Sequence, residues 1–169
     1  MRAAIPVLIL MGGSAYGQDV TEPALKAAFI FNFAKFTEWP VEVLPATGTF
    51  VMCVVGDTAV GDELERAVKD RVLAGHSMSV LREAPAGPGR VCHVLYVSGV
   101  AAGHAPQIVG PLRDLPVLTI SDAQGFTEQG GIAQFFFERG QLRFSVQNES
   151  AKRAHLQISS RLLALARRQ

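Results

Sequence analysis

Two short runs, Phe50-Val51-Met52-Cys53-Val54-Val55 and Val91-Cys92-His93-Val94-Leu95-Tyr96-Val97, constrain this chain more than any other feature. Each is too short and too β-branched to be a helix, and each is apolar on both alternating sides. Strands of that kind belong near the centre of a sheet whose faces are covered by helices. The surrounding sequence alternates to match. A helix is expected over 22–36, opened by Thr21 and Pro23; a strand over 49–56; and a helix over 59–70 with Val60, Leu64, Ala67 and Val68 inward. Strands over 76–82 and 91–98 follow, then a short helix over 106–113 and a strand over 117–121, with 83–90 and 99–104 as loops. Residues 132–137 and 141–146 flank Glu138-Arg139-Gly140 and read as an antiparallel hairpin. A last helix over 149–167 takes Asn148 as its N-cap and turns Ala151, Ala154, Ile158, Leu162 and Leu165 inward. The expectation is one α/β domain: a mixed central sheet with a C-terminal antiparallel hairpin, flanked by helices.

Residues 1–17 read as an export signal. Met1-Arg2 is a positive start, residues 3–11 an apolar run, and Ala15-Tyr16-Gly17 a small-x-small cleavage site. An uncleaved anchor is the competing reading, but the uncharged stretch from Ala3 to Gln18 is short for a span and contains Pro6, Gly12, Gly13 and Gly17. The mature chain, 18–169, is therefore expected outside the cytoplasm. There the even pair Cys53 and Cys92 favours a disulfide, worth roughly 4 kcal/mol in the chain-entropy model. Two buried thiols are the alternative; a zinc site of Cys53, Cys92 and His93 is weaker, because neighbours on a strand point to opposite faces. With 16 Lys+Arg against 15 Asp+Glu and a net charge of +1, no global field would hold the chain on nucleic acid or anionic lipid. Neither a nucleic-acid partner nor direct membrane insertion is expected.

The residues assemble no reaction centre. His76, His93, His104 and His155 lie far apart in sequence, without metal-ligand spacing. Ser98-Gly99 lacks the Gly-x-Ser-x-Gly elbow, and Gly56-Asp57-Thr58-Ala59-Val60-Gly61 has too few glycines for a phosphate loop. Asp57 and Asp122 each follow a strand and could pair in the crevice at the strand ends, but such residues more often cap the next helix or turn. No catalytic residue, cofactor or metal site is expected. The first helix carries more information. Leu25, Phe29, Phe33 and Phe36 form one stripe, yet Ala27, Ile30, Phe31 and Ala34 make the opposite side apolar too. Such a helix is either buried between layers or covered by another chain. On the second reading Phe29, Ile30, Phe31, Phe33 and Trp39 are candidate partner-interface residues, and the Trp39 indole could instead line a ligand pocket. Lys152, Arg153, Arg161, Arg167 and Arg168 read as solvated cations, with an acidic partner as the sharper alternative.

One stretch is specific. Lys26-Ala27-Ala28-Phe29-Ile30-Phe31-Asn32-Phe33-Ala34-Lys35-Phe36-Thr37-Glu38-Trp39-Pro40 resembles the opening signature of the YfiR-like family of exported proteins. Leu118-Thr119-Ile120-Ser121-Asp122, Gly125-Phe126 and Gly130-Gly131 are similar to its middle block. Leu142-Arg143-Phe144-Ser145-Val146-Gln147-Asn148, Ala151-Lys152-Arg153-Ala154 and the run 158–166 are similar to its ending. These blocks cover nearly the whole mature chain in order. His155 departs from the pattern, standing where relatives usually carry Gly.

The resemblance implies an α/β periplasmic regulator without catalysis. Its expected partner is the periplasmic sensor domain of an inner-membrane signalling protein, foremost a diguanylate cyclase held inactive and hence cyclic-di-GMP control. Members of the family self-associate, which implies a homodimer. The alternatives are a periplasmic small-molecule binding module and an accessory protein of a histidine kinase, with an envelope enzyme a distant third. A binding module predicts a concave pocket around Trp39 with convergent polar groups, whereas a regulator predicts an exposed apolar patch.

Overall fold

The two apolar runs become neighbouring strands at the middle of a seven-stranded sheet. A computed structural model describes residues 20–82, 92–101 and 103–167; the expected export signal and the 83–90 loop lie outside the described residues. The elements in order are α1 (Glu22–Lys35), β1 (Thr37–Glu38), β2 (Phe50–Val55), α2 (Thr58–Val68), β3 (Val72–Leu73), β4 (His76–Leu81) and β5 (Val94–Val97). There follow α3 (Ala105–Val109), which runs into a 3₁₀ turn over Gly110–Leu112, then β6 (Leu118–Ser121), β7 (Ala133–Glu138), β8 (Gln141–Val146), α4 (Asn148–Arg153), β9 (Gln157–Ile158) and α5 (Ser160–Leu165). The sheet order is β3-β4-β2-β5-β6-β7-β8. Strands β4, β2, β5, β6 and β7 are parallel, and the two edges, β3 and β8, run antiparallel. The fold is a single mixed α/β domain, with the hairpin of β7 and β8 where the sequence places it.

Strand alternation sorts the core into two layers. Met52, Val54, Val94 and Tyr96 point to one face, where they pack with α1 and α2. Cys53, Val55, Leu95 and Val97 point to the other, toward Leu112 and Val117 beside the α3 segment. The disulfide joins Cys53 and Cys92 on this second face, with Cα atoms 5.8 Å apart, inside the range a relaxed bridge needs. Its formation depends on a strand shorter than expected. Continued as a strand, residue 92 would share the Tyr96 face; β5 instead starts at Val94, and Cys92 leaves the ladder to reach Cys53.

Helix α1 begins as its residues dictate. The Thr21 hydroxyl accepts from the Ala24 amide at 3.3 Å, and Pro23 sits in the first turn where it forfeits no hydrogen bond. The helix is not peripheral. Phe29 and Phe33 meet Phe135 and Phe144 edge to face, α2 packs along one flank, and the chain end closes the other as β9 pairs with β1. Ile30 and Phe33 are therefore wholly enclosed, which removes both from the expected partner interface. Embraced on three sides, α1 needs apolar residues nearly all round, and the second chain that this pattern suggested is not required at those two positions.

The expected last helix is also corrected. Residues 148–165 form two short helices separated by β9, and the N-cap is Gln147 rather than Asn148. Helix α4 stops because His155 adopts φ +56°. Its amide donates to Lys152 O at 3.0 Å and the Leu156 amide to Ala151 O at 2.9 Å, the paired bonds of a Schellman cap. That position favours glycine. Relief of the left-handed strain, about 1–2 kcal/mol, is partly offset by the greater unfolded-state entropy of glycine, about 0.4–1 kcal/mol. His155→Gly is thus expected to raise the melting temperature by about 1–4 °C, as a thermal melt would read. Gly131 in the middle block has a different reason: a Cβ there would lie 2.2 Å from the Phe126 ring.

Candidate functional site

The turn after α1 builds one wall of a concave surface. The Thr37 hydroxyl donates to Phe33 O at 2.8 Å, tying β1 to the end of the helix. Trp39 then swings its indole against Phe50, edge to face at 4.9 Å, and its Nε1 donates to Pro116 O at 3.0 Å. The loop that follows is held by two histidines. His76 Nδ1 donates to Gly48 O at 2.9 Å. His93 stacks on Phe50, accepts the Val51 amide at Nδ1 (3.0 Å) and donates from Nε2 to Val43 O (3.2 Å). Both ring nitrogens of His93 are thereby committed to the neutral imidazole. Burial pushes its pKa below the usual histidine value.

Between this turn and the β3 edge lies a groove of about 690 Å³, lined by Phe31, Trp39, Leu44, Val72 and Leu73 with Lys35 and Arg71 at its lip. Val41 and Val72, both lining residues, are 77% and 69% exposed. The indole N–H, His76 Nδ1 and the Thr37 hydroxyl each make a hydrogen bond inside the chain. What the groove offers is apolar surface with a charged rim, and few polar groups converge in it.

A second cluster sits at the C-terminal ends of β5 and β6. Asp122 Oδ2 accepts from Lys26 Nζ (2.9 Å), Ser98 Oγ (2.9 Å) and Tyr96 OH (3.1 Å), and Lys26 also reaches Glu22 at 2.8 Å. Burial alone would push Asp122 up, but the hydrogen bonds and the charge of Lys26 hold it below the ordinary carboxylate range. Burial likewise opposes the charge on Lys26, and its hydrogen bonds to Glu22 and Asp122 outweigh that, so its pKa is raised. Burial, then the Asp122 charge, raises the Tyr96 phenol. The cluster borders a cavity of about 520 Å³ walled by Phe135, Phe136 and Phe137. Its groups satisfy one another, which makes it an anchor of α1 to the sheet.

Of the interface residues expected from the sequence, Phe31 and Trp39 line the groove, Phe29 is half-buried against Phe135 and Phe144, and Ile30 and Phe33 are core. Asp57 caps α2 by accepting the Val60 amide at 3.0 Å, so it and Asp122 serve separate structural tasks. Lys26 was missed, although it stands on the buried stripe of Ile30 and Phe33 at helical spacing. A lysine there requires a buried carboxylate. Among the described residues no three His, Cys, Asp or Glu side chains gather to hold a metal ion, and no helix is long and apolar enough to cross a membrane.

The chain belongs to the YfiR/HmsC-like family, whose model matches residues 23–167. The family is one of periplasmic, non-catalytic regulators of cyclic-di-GMP signalling that act with inner-membrane partners.

Proposed function

We propose that this chain is exported with loss of residues 1–17 and docks, through the Trp39 groove, on the periplasmic sensor domain of an inner-membrane diguanylate cyclase, which it holds inactive. The observation that carries the reading is the exposed apolar surface of Val41 and Val72 beside Phe31 and Trp39 in a chain of this family. Patches of that kind mark interaction sites. Binding of a small molecule in the same groove has less support, because the Thr37 hydroxyl, His76 Nδ1 and the indole N–H are spent on Phe33 O, Gly48 O and Pro116 O, and the charged groups that remain, Lys35, Glu38 and Arg71, are exposed side chains.

The test is complementation in a native-host strain that lacks the chain. The wild-type protein is expected to lower cellular cyclic-di-GMP. Val72→Asp is expected to accumulate normally and to fail. As an exposed substitution it should alter stability by no more than about 0.5 kcal/mol, or 1–2 °C in a melt. Full complementation by Val72→Asp would remove the groove from this role.

A further inference from the structure

We infer that the segment docking in the groove presents apolar side chains flanked by carboxylates; this rests on the reading of the groove as the docking face. Two cations mark its lip, and each is steadied by a ring of the chain. The Arg71 guanidinium lies 5.5 Å from the centroid of Phe31, and the Lys35 ammonium 5.9 Å from that of Phe36. These contacts position the charges without neutralising them.

Among the described residues neither cation has a carboxylate within ion-pair distance, as holds for Lys69, Arg113, Arg139, Arg143, Arg153 and Arg161 too; Lys35 and Arg71 differ in lining the apolar groove. Among the described residues the groove is lined by one carboxylate, Glu38, against Lys35 and Arg71, so the lining charge is net positive. A partner that buries Phe31 and Val72 must also desolvate Lys35 and Arg71. An acidic flank compensates that cost; a basic or wholly apolar flank does not. Lys35 and Arg71 thus select by sign, and the apolar floor supplies the area.

A graded series at both lip positions tests this, read as the amount of protein needed for half-maximal lowering of cyclic-di-GMP in the complemented strain. Lys35→Arg with Arg71→Lys should match the wild-type chain. Lys35→Gln with Arg71→Gln should need about two- to fivefold more protein for each cation removed, and Lys35→Glu with Arg71→Glu more again. Thermal melts and sizing accompany each variant. A flat series, an inverted series, or a conservative pair as damaged as the reversed pair would overturn the inference. Loss of repression in step with loss of a wild-type dimer would also overturn it, because the occupant would then be a second copy of this chain. A flat series with Val72→Asp inactive overturns the acidic partner alone, and a flat series with Val72→Asp active overturns the docking reading as well.

Discussion

Phe33→Ala is expected to destabilise the chain by about 3–5 kcal/mol, the cost of a large cavity in a packed core. The ring is fully enclosed, with Phe144 and Phe135 at 5.0 and 5.9 Å. At about 2–4 °C per kcal/mol for a domain of this size, the melting temperature should fall by about 6–20 °C. Phe31→Ser, two residues away, should behave differently. That ring is half-buried, faces the groove and carries Arg71, so its loss should cost about 1 kcal/mol of stability while repression fails. Thermal melts of the two variants, read beside cyclic-di-GMP in the complemented strain, separate core from surface on one helix. Equal destabilisation by both would place Phe31 in the core and move the docking face elsewhere.

The second large effect is expected at the anchor. Asp122→Ala leaves the ammonium of Lys26, whose side chain is 8% exposed, without its partner at the sheet. Breaking such a pair costs about 3–5 kcal/mol; the lower end applies, since Asp122 is itself 25% exposed and Glu22 stays in reach of Lys26. Lys26→Met should cost less, because Asp122 keeps its bonds from Tyr96 and Ser98. The pH dependence follows from the directions of the shifts. The Asp122 pKa is lowered on folding, so its contribution is present above the unfolded carboxylate value, about 4, and is lost as pH falls through the folded one. The Tyr96 pKa is raised, so its contribution holds below about 10, the unfolded phenol value, and is lost as pH rises through the folded one. The gap between urea melts of the wild-type chain and of Asp122→Ala, measured between pH 3 and 7, should narrow toward the acid end. A constant gap between them would mean that the carboxylate acts through packing rather than charge.

Local periodicity carried β2, β4, β5, β6, α1, α2 and the hairpin, though not the two-residue strands β1, β3 and β9, because side-chain alternation and the 3.6-residue repeat are written in runs of consecutive residues. The Cys53–Cys92 pair was legible too, since an even pair of cysteines, both in apolar runs of a chain expected to be exported, favours a disulfide. What periodicity missed was set by partners distant in sequence. Lys26 and Asp122 are separated by 96 positions, and nothing around either identifies the other. Residues 149–167 keep a helical apolar repeat throughout, yet the chain turns at His155 so that β9 can pair with β1 and Leu156 can enter the core. On α1 the sequence determined a helix apolar on nearly every side, and its composition is the same whether neighbours come from its own chain or another. Only the tertiary structure decided that Ile30 and Phe33 are internal while Phe31 opens on the groove, because burial depends on which elements surround the helix, and those come from the far end of the chain.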